Sequence, residues 1–335
     1  MKKLAAMLLL DVTLAAALAG GVYYVNYKMP RRMTPVGQAA EEEPAAETQT
    51  VQEQSGAMPP ETAEDTAAEQ PAADGWREKF AGHFTDEVRQ TAGHYSSPSV
   101  AVDITEHSFG EGDDKVTYYL ADVYIASIDC LRTKFAKNTY GVDYTDALDI
   151  MARSVQAVAA VNGDSYSSDG RMESETLIRN GELYSLGQNW LDMCVLYRDG
   201  VMRTYGGGQF DQAEASAGEI WQTWNFGPAL LDENGEIPAS YNTDDYLRES
   251  HPRTAVGYYE PGHYCLLVVD GRQENFSCGM YLEEMSAVFH DLGCRAAYNL
   301  DGGHCSFMTF GEEIASHPYE YSYDISDCIY IAEPW

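Results

Sequence analysis

The run Ala296-Ala297-Tyr298-Asn299-Leu300-Asp301-Gly302-Gly303-His304-Cys305-Ser306 reads as a buried strand that stops at a carboxylate. Ala296 to Leu300 are apolar or aromatic except Asn299, and Phe307-Met308-Thr309-Phe310 turns apolar again after the break. Two glycines after an aspartate let the backbone reach φ > 0 and approach a bulky neighbour closely. A carboxylate at the end of a buried strand, with no side chains beside it, is a natural place for chemistry. By itself the stretch is equally a tight corner in which Asp301 caps its own turn.

Two more strand ends repeat the pattern of apolar strand, then Asn or Asp, then Gly. They are Val161-Asn162-Gly163-Asp164 and Val269-Asp270-Gly271-Arg272. If the three strands are neighbours, their polar ends converge at one edge of a sheet; each alone is a local Asx-turn. Arg253, ahead of the apolar run Thr254-Ala255-Val256-Gly257, and Arg272 stand beside these ends. In an acidic domain such arginines pair with carboxylates or bind an anion bidentately. Arg179, before Asn180-Gly181, is a weaker candidate of the same kind.

Working outward, the chain from residue 76 reads as one α+β domain with a mixed or antiparallel sheet and few helices. Val116 to Ile128 is a long strand rich in β-branched and aromatic residues. Asn180-Gly181 and Asp199-Gly200 mark two hairpins. Thr145 to Arg153 and Leu282 to Leu292 have helical spacing, with Thr145 as N-cap of the first and Gly293 as stop of the second. Residues 206–250 are irregular, with a short helix expected over 213–222.

The net charge is −32, which argues against nucleic-acid binding and against charge-driven contact with an anionic membrane. A local arginine pair can still hold a phosphate at contact distance. Seven cysteines, without CxxC or regular spacing, suggest neither a disulfide framework nor a zinc ribbon. No P-loop, GxSxG or HExxH is present, and neither a metal nor another cofactor is expected.

Residues 1–32 read as a membrane anchor or signal segment. Lys2-Lys3 precede an apolar run from Leu4 to Val25 long enough to span a bilayer, and Lys28, Arg31 and Arg32 follow. Tyr23, Tyr24 and Tyr27 favour an uncleaved anchor, while Ala17-Leu18-Ala19 offers a signal-peptidase alternative. Residues 33–73 contain nine acids and no Lys or Arg, the composition of a disordered spacer. The expected layout is a single-pass membrane protein whose domain, 76–335, lies outside the cytoplasm; secretion after cleavage is the alternative.

The ordered series Asn162-Gly163-Asp164-Ser165-Tyr166, Pro252-Arg253-Thr254-Ala255-Val256-Gly257, Val268-Val269-Asp270-Gly271-Arg272, Gly279-Met280 and Asn299-Leu300-Asp301-Gly302-Gly303 resembles the phosphodiester glycosidase family. The resemblance covers residues 155–331. That family includes the enzyme that removes N-acetylglucosamine from phosphodiester-capped mannose, and many exported bacterial relatives. The chain departs from it at His304-Cys305, where many members have Gly and Ser, and at Asp164, where many have a further Gly. The resemblance implies an exported hydrolase that cleaves a sugar-1-phosphodiester of a phosphate-linked glycan.

On that reading Asp301 lies nearest the anomeric carbon, with Asp270 as second carboxylate. Arg253 and Arg272 clamp the phosphate, and Asn162, Asn299 and His304 bond the sugar. Gly163, Gly302 and Gly303 admit backbone N–H groups to the ligand, and Asp164 and Ser306 complete the substrate-facing set. Two alternatives stay open: a non-catalytic envelope glycan-binding or exopolysaccharide-assembly module, and a metal-dependent phosphodiesterase using Asp164, Asp270 and Asp301.

Overall fold

The computed structural model describes residues 75–165, 175–320 and 324–334. The expected anchor (1–32) and linker (33–73) lie outside the described residues, among which no helix is long and apolar enough to cross a membrane.

The described residues contain four α-helices: α1 (Gly75–Lys79), α2 (Leu148–Ser154), α3 (Gln212–Ala215) and α4 (Leu282–Asp291). The strands are β1 (Arg89–Thr91), β2 (His94–Ser96), β3 (Val100–Phe109), β4 (Val116–Ile125), β5 (Leu131–Phe135), β6 (Asp146–Ala147), β7 (Ala159–Asn162), β8 (Leu177–Arg179), β9 (Glu182–Ser185) and β10 (Met193–Tyr197). They continue with β11 (Met202–Tyr205), β12 (Ile220–Trp224), β13 (Arg253–Glu260), β14 (His263–Val269), β15 (Ala296–Asn299), β16 (Met308–Phe310), β17 (Glu313–Ile314), β18 (Asp324–Ile325) and β19 (Asp327–Ile331).

A seven-stranded sheet runs β1-β2-β3-β4-β14-β13-β15, and a five-stranded sheet runs β17-β16-β7-β19-β5. A three-stranded sheet, β11-β10-β12, joins them. The pairings in the two large sheets are antiparallel.

The sheets stack face to face. Val102, Val123, Val256, Leu266, Val268, Tyr298 and Leu300 meet Leu131, Val161, Met308 and Ile329 in one buried cluster. The outer face of the larger sheet buries Leu120, Ala255, Leu267 and Ala297 under Leu282, Met285, Val288 and Phe289 of α4. The outer face of the smaller sheet buries Ala160, Cys328 and Tyr330 under Leu148, Met151 and Ala152 of α2. The order is therefore helix, sheet, sheet, helix. This explains why β14 is apolar almost throughout instead of alternating: both its faces are covered.

Both turn-marked hairpins form, as β8–β9 and β10–β11. Two boundaries differ from the sequence reading. The first predicted helix starts at Leu148, because Asp146–Ala147 pair with Asp324–Ile325 and Thr145 caps nothing. The expected helix over 213–222 is confined to Gln212–Ala215, since Ile220-Trp221-Gln222-Thr223-Trp224 joins β10 as a strand. Its branched and aromatic residues suit a pleated surface better than a helix.

Candidate active site

The start of β13 lies between the ends of β14 and β15, because Arg253 pairs with Val269 and Ala255 with Asn299. Antiparallel order thus places Arg253, the 270–272 turn and the 301–303 turn together. The third end arrives from the other sheet: the Asp301 N–H donates to the Gly163 carbonyl at 3.1 Å. Asn162 Nδ2 donates to the Asp301 carbonyl at 2.7 Å. The three ends converge as anticipated, but across two stacked sheets instead of along one.

A cleft of about 190 Å³ opens there. Asp301, Gly302 and Gly303 form part of its lining with Arg253, Arg272 and His304, and Phe226, Tyr246 and His251 complete much of the wall. Burial pushes the Asp301 carboxyl up to about 6, against the Cys305 thiol and the Gly302 N–H that bond its charged form. Gly303 has φ +69, and a β-carbon there would lie 3.3 Å from the Arg272 guanidinium. Glycine satisfies both the backbone conformation and this close approach.

Neither cleft arginine has a carboxylate within ion-pair distance among the described residues. Arg253 is 2% exposed. Its Nε donates to Met280 O at 3.1 Å, and its Nη2 donates to Leu247 O and Glu249 O, each at 2.6 Å. Burial brings it down to about 10, so it stays cationic at neutral pH. Arg272 has φ +59. Its Nη1 donates to Tyr319 Oη at 2.6 Å and its Nη2 to Tyr246 Oη at 3.2 Å.

His251 completes this wall. Its Nε2 lies 2.8 Å from the Tyr246 carbonyl, which requires an N–H there. Nδ1 then accepts from Arg272 Nη2 at 3.5 Å. Burial and the two neighbouring guanidiniums lower the His251 pKa, which keeps it neutral and consistent with that tautomer. Next to Arg272, across the Tyr319 hydroxyl, His304 Nδ1 lies 2.6 Å from Glu320 Oε2 and 2.6 Å from Tyr319 Oη.

The other expected site residues are placed elsewhere. Asp270 does not line this cleft. Strand alternation sends it to the inter-sheet side, where His317 N–H donates to Oδ2 at 3.1 Å. Burial pushes it up to about 7, with Glu106 adding to the rise and the Tyr119 hydroxyl opposing it. Glu106 and Tyr119 line a separate cavity of about 280 Å³. Asn162 is fully engaged in structure: besides Asp301 O, its Oδ1 accepts from Thr254 Oγ1 at 2.6 Å. Asn299 donates to Gly227 O at 2.7 Å, and Ser306 is buried.

Gly163 and Asp164 belong to a buried ion network behind the cleft. Arg179 Nη2 bridges Asp164 Oδ2 at 3.0 Å and Asp327 Oδ2 at 2.8 Å. A β-carbon on Gly163 would meet Asp327 Oδ1 at 2.2 Å. Asp164 also accepts from the backbone N–H groups of Asn225 and Phe226. It therefore fixes the loop that brings Phe226 to the cleft. The carboxylate trio of a metal-dependent phosphodiesterase is not assembled, because Asp164 is bound to Arg179 and Asp270 faces elsewhere.

Residues that the sequence reading passed over are Phe226, Tyr246, His251, Tyr319 and Glu320. His251 directly precedes Pro252-Arg253 and could have been noted on that ground. Phe226 and Tyr246 lie in the irregular 206–250 stretch, which offers no periodicity to read.

A family model described as phosphodiester glycosidase matches residues 155–332, the span that contains all the strand ends at the cleft. The chain belongs to the phosphodiester glycosidase family. Among its relatives, the SPbeta prophage-derived uncharacterized protein YomE of Bacillus subtilis (strain 168) is 26% identical over 207 residues. That match takes in 56% of this chain but 32% of YomE, so the chain spans about a third of that relative. The catalytic domain of zebrafish N-acetylglucosamine-1-phosphodiester alpha-N-acetylglucosaminidase, auto-inhibited by its pro-peptide, superposes with a TM-score of 0.58 at 21% identity. The superposition covers 74% of this chain and 88% of the zebrafish domain, and at that identity it speaks to the fold. Within the phosphodiester glycosidase fold, Asp301 and the two arginines occupy one cleft at the ends of β13, β14 and β15.

Proposed function

We propose that the protein hydrolyses a sugar-1-phosphodiester, releasing free sugar and a phosphomonoester. The observation that carries this reading is one carboxylate sharing a cleft with two guanidiniums that, among the described residues, have no carboxylate within ion-pair distance, in a chain of net charge −32. Cations held by neutral groups amid so much acid suit an anionic ligand. A phosphate monoester is a better leaving group than an alcohol, so a strong general acid is less needed. The remaining tasks are to hold the phosphate, stabilise an oxocarbenium-like centre and deliver a nucleophile.

Arg253 and Arg272 take the phosphate, with Tyr246 and Tyr319 orienting Arg272. Asp301 acts at the anomeric carbon as base or nucleophile. His304, aligned by Glu320, bonds sugar hydroxyls or the N-acetyl group of a GlcNAc-type substrate. We also propose that residues 1–32 hold the domain outside the cytoplasm on a membrane. A reporter fused after residue 75 that stays active only in the cytoplasm would overturn that layout.

The activity is tested by incubating the protein with α-GlcNAc-1-phosphodiesters, with and without EDTA. Free sugar and phosphomonoester, formed in EDTA, are expected. Sugar-1-phosphate as product would assign a phosphodiesterase instead. Binding without turnover would assign a glycan-binding module.

A further inference from the structure

We propose that Cys265 and Cys294 are the two ends of a structural disulfide. Their sulfurs lie 3.8 Å apart. The contact joins two buried thiols, one on a strand and one just past a helix. Cys265 is in the centre of β14, opposite Gly257 of β13. Cys294 follows Gly293, where α4 stops with φ +78 and the chain turns toward β15.

The packing is arranged for this meeting. A β-carbon on Gly257 would lie 2.6 Å from Cys265 Sγ and 2.7 Å from the Phe289 ring. Any larger residue at 257 would occupy the path by which Cys265 reaches across β13 to Cys294. Both cysteines belong to the apolar cluster between β14 and α4, where a disulfide is at ease and two thiols have few partners. Closing the contact to a bond of about 2 Å brings the two sulfurs together by about 2 Å.

Formation is a thiol–disulfide exchange. Both S–H bonds break, one S–S bond forms, and two electrons reduce the disulfide of an oxidant such as glutathione disulfide to two thiols, which take up the two protons. Burial raises the Cys265 thiol well above its ordinary range, so the folded pair resists attack. The bond therefore forms while the chain is folding. It covalently brackets the segment that carries both the Arg272 turn and α4.

The test folds the full-length chain in a buffer of reduced and oxidised glutathione. Free thiols are then alkylated in denaturant, and unreduced peptides are mapped by mass spectrometry. A peptide pair joined through Cys265 and Cys294, with the other five cysteines alkylated, is expected. Recovery of both as separate alkylated peptides, or of either joined to another cysteine, overturns the proposal. Protein refolded in reductant should unfold about 5–10 °C below protein refolded in the glutathione buffer, the shift expected for opening a loop of this length. Cys294→Ala should unfold at a midpoint that reductant does not move. An equal shift in both would overturn the stapling role.

Discussion

Asp301 is the carboxyl on which the proposed chemistry depends, and its protonation is set by its surroundings. Burial raises it to about 6, so it ionises just below neutrality. If it acts as base or nucleophile, kcat/KM should rise with pH through about 6, and a pH–rate profile that stays flat down to pH 5 would contradict that role. Asp301→Asn should lower kcat by about 10²–10⁴-fold, the usual range for a positioned acid–base group, without loss of fold. Arg272 is exposed and, among the described residues, donates to the neutral Tyr246, Tyr319 and His251, so Arg272→Met should fold normally. It should raise KM about 10–100-fold, as expected for loss of charge-assisted hydrogen bonds. Equal loss for a neutral sugar ether would show that Arg272 does not contact the phosphate.

The ends of β7, β13, β14 and β15 make the site because antiparallel pairing and sheet stacking bring them together. The ion network behind β7 then sets their spacing. Gly163→Ala would drive a methyl group into Asp327, 2.2 Å from its Oδ1. It should destabilise the domain by about 3–5 kcal/mol, the range for breaking a buried ion pair, which denaturant titration can measure. Much of this element-level plan was legible in the sequence. Three apolar runs that end in Asn-Gly or Asp-Gly marked the right corners, and Asn180-Gly181 and Asp199-Gly200 marked the hairpins. The direction of a side chain at a strand end was less legible. Asp270 and Asp301 have the same local pattern, yet one faces the space between the sheets and the other the cleft. Only the relative placement of the two sheets decides that. Asn162 carried the signature of a ligand-binding residue but ties β7 to β13, since side-chain hydrogen bonds over long sequence distances leave no local trace.

At the scale of the whole molecule, acid excess and buried carboxyls act in the same direction. Asp270 and Asp301 rise from the usual 3.8 to about 7 and about 6 in the fold. Between about pH 4 and 7 the folded state therefore holds protons that the unfolded chain has released. Stability falls as pH rises through that window. The thermal midpoint should be a few degrees higher at pH 5.5 than at pH 8. Added salt at pH 8 should recover part of the difference by screening the net charge of −32. A midpoint that climbs with pH across this range would show that these carboxyls are stabilised in their charged form.

The unpaired guanidiniums bear on what happens after the bond is cut. The diester enters as a monoanion, but the phosphomonoester leaves with a charge of about −1.5 to −2 at pH 7. Two cations that lack an ion-paired carboxylate among the described residues hold the product more tightly than the substrate. Hydrolysis should therefore slow as product accumulates, with a competitive inhibition constant below KM. Inorganic phosphate should inhibit in the same way, and progress curves with added phosphomonoester would reveal it. Turnover would then follow the rate at which phosphate escapes into the acidic field around the cleft, more than the rate of bond cleavage.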